Sequence, residues 1–216
     1  MNTLFLQVAG SRAYGTNRLD SDWDYRGVFI EPIEQILGSD EIISEIRNMN
    51  DITDRVEYGL KKFMKLTMNG NPNIIELWFN NNYVLNCSEW KEILKYREDI
   101  LSQKIVDSYC GWMKKETILL RRKWDNKAAA NTYRLSCNAI ELFTSNNLTV
   151  KLYDASIRYF MGILNNEFPQ NNVLDYLDAR YDQVKNCAQN ITWPKNANMS
   201  RINQKMYNIY KIAYEL

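Results

Sequence analysis

Thr3-Leu4-Phe5-Leu6-Gln7-Val8-Ala9 is a short run of aliphatic and aromatic residues, the pattern of a buried strand. A second such run, Trp23-Asp24-Tyr25-Arg26-Gly27-Val28-Phe29-Ile30, predicts another strand, and Gly15, Asn17 and Asp20-Ser21 mark a turn between the two. Pro32 to Leu37 predicts a short helix with proline in its first turn and Gly38 at its end, and Glu41 to Arg47 a further strand. Asp51 to Tyr58 alternates polar and apolar residues as a half-buried strand does. Leu60, Phe63, Met64 and Thr67 then switch to helical spacing. Gly70-Asn71-Pro72-Asn73 breaks that helix, and Asn73 is placed to cap the next one, Ile74 to Phe79. Beyond Ser88 the pattern is almost wholly helical, over 89–94, 103–124, 127–144, 151–164, 172–187 and 202–214, with Trp193-Pro194-Lys195 as the loop before the last helix. The pattern thus divides into a mixed strand-and-helix part, 1–100, and a helical part, 101–216. No Gly/Ser-rich linker separates them, which predicts direct packing of the second on the first.

Composition adds mainly exclusions. Hydrophobic residues make up 45% and charged residues 25%, which argues against disorder, and a net charge of +1 gives no overall attraction to nucleic acid or membrane. A polyanion has to be bound locally, and Lys114, Lys115, Arg121, Arg122, Lys123 and Lys127 supply one local positive bias. The chain runs from Met1-Asn2 straight into the first apolar run, with no signal-like segment and no apolar stretch long enough for a bilayer. A cytoplasmic protein without a membrane partner is expected. Cys87, Cys110, Cys137 and Cys187 are far apart and predict free thiols rather than zinc ligands. There is no histidine, so Ser-His and Cys-His nucleophiles and His-ligated metals are excluded, and chemistry falls to carboxylates and cations.

Those groups concentrate between Gly10 and Asp24. Gly10 admits a close backbone approach to a ligand, and Ser11 offers a hydroxyl and a backbone N–H at a helix start, the elements of a phosphate cradle. Asp22 and Asp24, two apart on a strand, project to one face and converge. Two adjacent acids repel unless a cation lies between them, and oxygen-only ligation suits Mg²⁺ or Mn²⁺.

Gly10-Ser11, a ten-residue gap and Asp22-x-Asp24 resemble the signature of the DNA polymerase β-like nucleotidyltransferases. The longer string Gly-Ser-Arg-Ala-Tyr-Gly…Asp-Ser-Asp-x-Asp-x-Arg-Gly-Val…Pro, Gly10 to Pro32, is similar to the branch associated with RNA repair and ligation. The resemblance implies an α+β fold, a polymerase β-like core followed by a mainly helical C-terminal region. It also implies transfer of a nucleoside monophosphate from an NTP donor to a hydroxyl acceptor. Asp22 and Asp24 would hold two Mg²⁺ ions roughly 3.5–4 Å apart, with Gly10, Ser11 and Arg12 at the nucleotide. A third carboxylate from a later strand is implied, Asp54 being favoured by its place before Leu60-Lys61-Lys62-Phe63. Glu57 is the alternative, on the opposite face by alternation. Asn71-Pro72-Asn73 followed by Glu76-Leu77 resembles a family Asn-Pro-x-x-x-Glu-Leu pattern, to which no catalytic role is carried. Lys127 to Arg134 distantly resembles a family stretch with a lysine, then a histidine, then an arginine three residues on, with Asn131 standing where the histidine would be. The resemblance implies Lys127 and Arg134 as triphosphate contacts.

The acceptor stays open among an RNA end, a protein side chain and a small molecule. The ten-residue gap is also similar to minimal nucleotidyltransferase antitoxins that adenylylate a partner toxin. A binding protein that keeps the fold without the chemistry is the remaining alternative, disfavoured by the retained acids.

Overall fold

The computed structural model describes residues 2–38, 41–50 and 52–215. Its sheet has the strand order β3-β4-β2-β1-β5, built from β1 (Asn2–Ala9), β2 (Trp23–Ile30), β3 (Glu45–Met49), β4 (Thr53–Gly59) and β5 (Tyr83–Asn86). Neighbouring pairs are antiparallel except β2 and β4, which run parallel. Between the strands lie α1 (Gly10–Tyr14), α2 (Ile33–Leu37), α3 (Leu60–Met68) and α4 (Pro72–Phe79). After them come α5 (Ser88–Leu94), α6 (Gln103–Arg122), α7 (Asn126–Ser145), α8 (Asp154–Leu164), α9 (Gln170–Gln189) and α10 (Met199–Tyr214). This is the α+β class expected, a mixed sheet with helices followed by a helical half. Among the described residues no helix is long and apolar enough to cross a membrane.

Three local expectations need correction. The strand placed over Glu41 to Arg47 forms later, as β3, because its partners on β4 set its ends, from Glu45 opposite Tyr58 to Met49 opposite Asp54. The cap of α4 is Asn71, whose side chain accepts from the Asn73 backbone N–H, with Pro72 at the first helical position where a missing N–H costs nothing. No strand was expected at Tyr83–Asn86; β5 is a short edge strand held by pairing with Phe5 to Gln7 of β1. Asp51, the expected start of β4, lies outside the described residues.

One face of the sheet is covered by aromatic packing. Phe5 of β1 lies 4.4 Å, centroid to centroid, from Trp90 of α5, and Trp90 lies 5.0 Å from Trp78 of α4. The same buried cluster continues through Tyr109 and Met113 of α6 into Leu135 and Leu142 of α7 and Ile202 of α10. The helical half is therefore built onto the sheet through a shared apolar interior. A second cluster, including Leu120, Tyr133, Phe160 and Leu177, holds α6 to α9 together. Cys87, Cys110, Cys137 and Cys187 are free and half-buried.

Candidate active site

The site starts where β1 ends. Gly10 takes φ +59°, and a Cβ there would lie 1.9 Å from Asp24 Oδ2, so only glycine lets the turn pass this close to the carboxylate. The short α1 follows and closes at Gly15, φ +75°, with the Thr16 N–H donating to the Ser11 carbonyl at 2.9 Å. Asp24 is opposite Ala9 in the antiparallel register of β1 with β2 and beside Asp54 in the parallel register of β2 with β4. Two strand pairings thus deliver the turn and a further acid to one point. Asp22 precedes β2, is exposed, and lines the same cleft as Asp24, Gly10 and Ser11.

Asp54 and Glu57 are separated by the period of the strand. Asp54 faces Arg26, which donates to its Oδ2 at 2.8 Å and lies 3.6 Å from Asp24 Oδ1. Glu57 is on the other face, accepting from Thr3 Oγ1 at 3.2 Å and Arg55 Nε at 2.8 Å. As a third carboxylate beside Asp22 and Asp24, Glu57 is removed by this geometry, since its carboxylate is already bonded behind the sheet.

Burial pushes the Asp24 carboxyl above the ordinary aspartate range, and the nearby charges of Asp54 and Asp22 add to this against Arg26 and Lys127. Crowded, partly buried carboxylates of this kind are what a hard cation relieves, and the donor set is all oxygen. The Asp54 Oδ1 atom is buried without a hydrogen-bond partner, while Oδ2 is held by Arg26, and Asp54 is not among the residues that line the cleft. These residues fit Mg²⁺ or Mn²⁺ through Asp22 and Asp24. The ligand set is not closed, however: among the described residues no three acidic, Cys or His side chains gather as one metal group, and Asp54 is turned onto Arg26.

The cleft has a volume of about 740 Å³, and its far wall comes from the helical half, with Lys127 and Asn131 of α7 and Trp112 of α6 facing the acids. Of the expected nucleotide contacts, Lys127 is in the cleft. Arg12 is not among the lining residues. Its guanidinium donates to the carbonyls of Ser21 at 2.7 Å and Asp22 at 3.3 Å and lies 4.1 Å over the Trp23 ring, so it clamps the turn that carries Asp22. Arg18, which sequence reasoning passed over, lines the cleft and pairs with Asn165.

Arg134 borders the cleft but is 3% exposed and ion-paired with Glu76. Glu76 also accepts from Tyr14 Oη at 3.0 Å and Asn138 Nδ2 at 2.9 Å, and the Arg134 guanidinium stacks 3.9 Å above the Tyr14 ring. Burial opposes the charge on Arg134, but Glu76 beside it keeps the guanidinium protonated; burial pushes Tyr14 far up. Arg134, expected at the triphosphate, thus lines the cleft with its charge paired to Glu76. The pair ties α7 and α4 to α1, whose first residues form the phosphate turn. Glu76 was missed as a site residue, and its only signal was the Asn-Pro-x-x-x-Glu-Leu likeness.

The basic run splits. Lys114, Lys115 and Arg122 lie on the outer surface of α6 with Ile118 and Leu119, and Arg121 is turned to Asp178 of α9.

A family model described as the RNA repair pathway DNA polymerase beta family matches residues 1–149, from β1 through α7. An uncharacterised 38.9 kDa protein from the nrdC-mobD intergenic region of Enterobacteria phage T4 is 26% identical over 127 residues. That alignment covers 54% of this chain and 38% of the phage protein, so the chain matches well under half of that relative's length.

Proposed function

Because the chain belongs to the RNA repair pathway DNA polymerase beta family, we propose that it is a metal-dependent nucleotidyltransferase that moves a nucleoside monophosphate from an NTP to a hydroxyl on an RNA end. The observation that supports this most is the strand register that sets Asp24 between the Gly10 turn and Asp54. Mg²⁺ or Mn²⁺ held by Asp22 and Asp24 would neutralise charge at the α-phosphate and lower the barrier to attack there.

The remaining work falls to the chain's own groups. Ser11 and the backbone after Gly10 bind the triphosphate oxygens, and Lys127 supplies positive charge from the opposite wall as pyrophosphate leaves. Asp54, beside Asp24 in the parallel register of β2 and β4, takes the proton of the attacking hydroxyl. The new bond joins the acceptor oxygen to the α-phosphorus, the bond from that phosphorus to the bridging oxygen breaks, and no covalent enzyme intermediate is needed. Catalysis is then positioning and charge neutralisation. The RNA acceptor is favoured over a protein hydroxyl by the description of the matching family.

Incubation with each α-labelled NTP, Mg²⁺ and total cellular RNA or protein tests the reading. Label is expected on RNA, falling to background in Asp22→Ala and Asp24→Ala although both variants fold. Undiminished transfer by either variant refutes the role of the acids, and label on protein alone refutes the RNA acceptor.

A further inference from the structure

The cleft does not end at Trp112. A side groove of about 260 Å³ continues beyond it, and Asn73, Trp112 and Leu135 line both spaces. The chemistry changes across that boundary. The main cleft holds the acids together with Arg18 and Lys127, whereas the groove is lined by Asn69, Asn71, Asn73 and Ser108 with apolar neighbours and without a charged residue among the described ones. Amides and a hydroxyl that both donate and accept, without net charge, are suited to the edge of a neutral heterocycle and poorly suited to phosphate.

Trp112 is set apart from most other tryptophans of the chain. Trp78, Trp90, Trp124 and Trp193 donate their indole N–H to Thr67, Tyr83, Asn126 and Asn146. Trp23 stacks on Tyr25 and under Arg12. Among the described residues Trp112 has neither a hydrogen-bond acceptor for its indole nor a stacked aromatic or cationic partner, and it is only half-buried at the junction of the two spaces. A rigid π-face at the mouth of a neutral amide-lined groove is the arrangement on which a base stacks.

We infer that the groove beyond Trp112 is a nucleobase subsite, in which a base stacks on Trp112 and its edge is read by the Asn73 amide and its neighbours. The inference rests on the nucleotidyl-transfer reading for its place beside the acids, and base binding can be measured without transfer. The base can come from the donor NTP or from the last nucleotide of the acceptor. Both present the same chemistry.

The test uses the intact protein and the uncharged nucleosides adenosine, guanosine, cytidine and uridine, followed by the fluorescence difference between the unaltered protein and Trp112→Phe. At least one nucleoside is expected to quench the Trp112 component saturably, tripolyphosphate is not, and Asn73→Ala should weaken that binding by roughly tenfold. The backbone N–H of Asn73 that serves the α4 cap is untouched by this change. Absence of quenching by all four nucleosides, or unchanged binding in Asn73→Ala, overturns the subsite. A second arm compares a non-hydrolysable NTP with a short oligoribonucleotide. Weakening of the first by Asn73→Ala assigns the groove to the donor base, weakening of the second alone assigns it to the acceptor, and weakening of neither overturns the inference. Nucleoside binding at Trp112 in a protein that transfers no label would keep the subsite and refute the transfer. Label transfer without nucleoside quenching would do the reverse.

Discussion

At the scale of single residues, the face a side chain takes on β4 decides its chemistry. Asp54 lies beside Asp24 across a parallel pair, and Glu57, three positions on, is engaged by Thr3 and Arg55 behind the sheet. Asp54→Asn should therefore lower single-turnover transfer by about two to four orders of magnitude, as loss of a proton acceptor does. Glu57→Gln should leave the rate nearly unchanged and slightly lower the urea midpoint instead, because it weakens the pair of a buried carboxylate with a part-exposed Arg55. The reverse ranking would mean that β4 pairs with β2 one residue out of this register. Gly10 belongs to the same scale, since the turn reaches Asp24 only where no Cβ intervenes.

At the scale of elements, two polar ties fasten distant elements together. The Glu76–Arg134 pair joins α4 to α7 and, through Tyr14, to α1. Arg134→Met would leave a buried carboxylate without its counter-charge and should cost about 3–5 kcal/mol in urea denaturation. Glu76→Met in the same chain should recover part of that loss by removing the stranded charge. The second tie is Glu31, which accepts from Tyr210 Oη and Tyr214 Oη of α10 and from the Lys61 N–H at the start of α3 at 2.9 Å. Burial pushes the Tyr210 phenol above its ordinary value, and its bond to Glu31 adds to this. The folded chain thus keeps a proton that the unfolded chain releases near pH 10. The contribution of this bond is fully present below that pH and is lost as pH rises through the folded value. Thermal melts should fall across the alkaline range, and Tyr210→Phe should make that fall shallower while lowering stability at neutral pH. An unchanged alkaline slope in Tyr210→Phe would show that other tyrosines carry it.

At the scale of the whole molecule, a net charge of +1 hides an uneven surface. Lys114, Lys115 and Arg122 form an outer basic surface on α6, the helix whose Trp112 borders the cleft. If an RNA acceptor lies along it, binding releases counterions and affinity falls with salt, with a log–log slope of roughly 0.7 per phosphate contacted on a single strand. Reversing Lys115 and Arg122 to Glu should flatten that slope and leave NTP binding at the Gly10 turn intact, as titrations over a range of salt concentrations would show. Arg121 is a poorer choice for this test because Asp178 already holds it.

The sequence by itself determined the class of fold, the order of most elements and the chemistry available. Hydrophobic periodicity is a local property, and the spacing Gly10-Ser11…Asp22-x-Asp24 lies within one strand–turn–strand unit. The lack of histidine needed no structure to exclude a whole set of mechanisms. Only the tertiary structure decided which distant groups meet. Asp54 rather than Glu57 stands beside Asp24 because the parallel register of β2 and β4 is a pairing between separated segments. Arg12 and Arg134 each carry a charge that the sequence offered to a nucleotide, and their partners, the Ser21 carbonyl and Glu76, became visible only with the packing. The edge strand β5 and the groove beyond Trp112 were silent for the same reason. Four residues on an edge and a wall shared by α3, α4, α6 and α7 have no period of their own, and neighbours far along the chain create both.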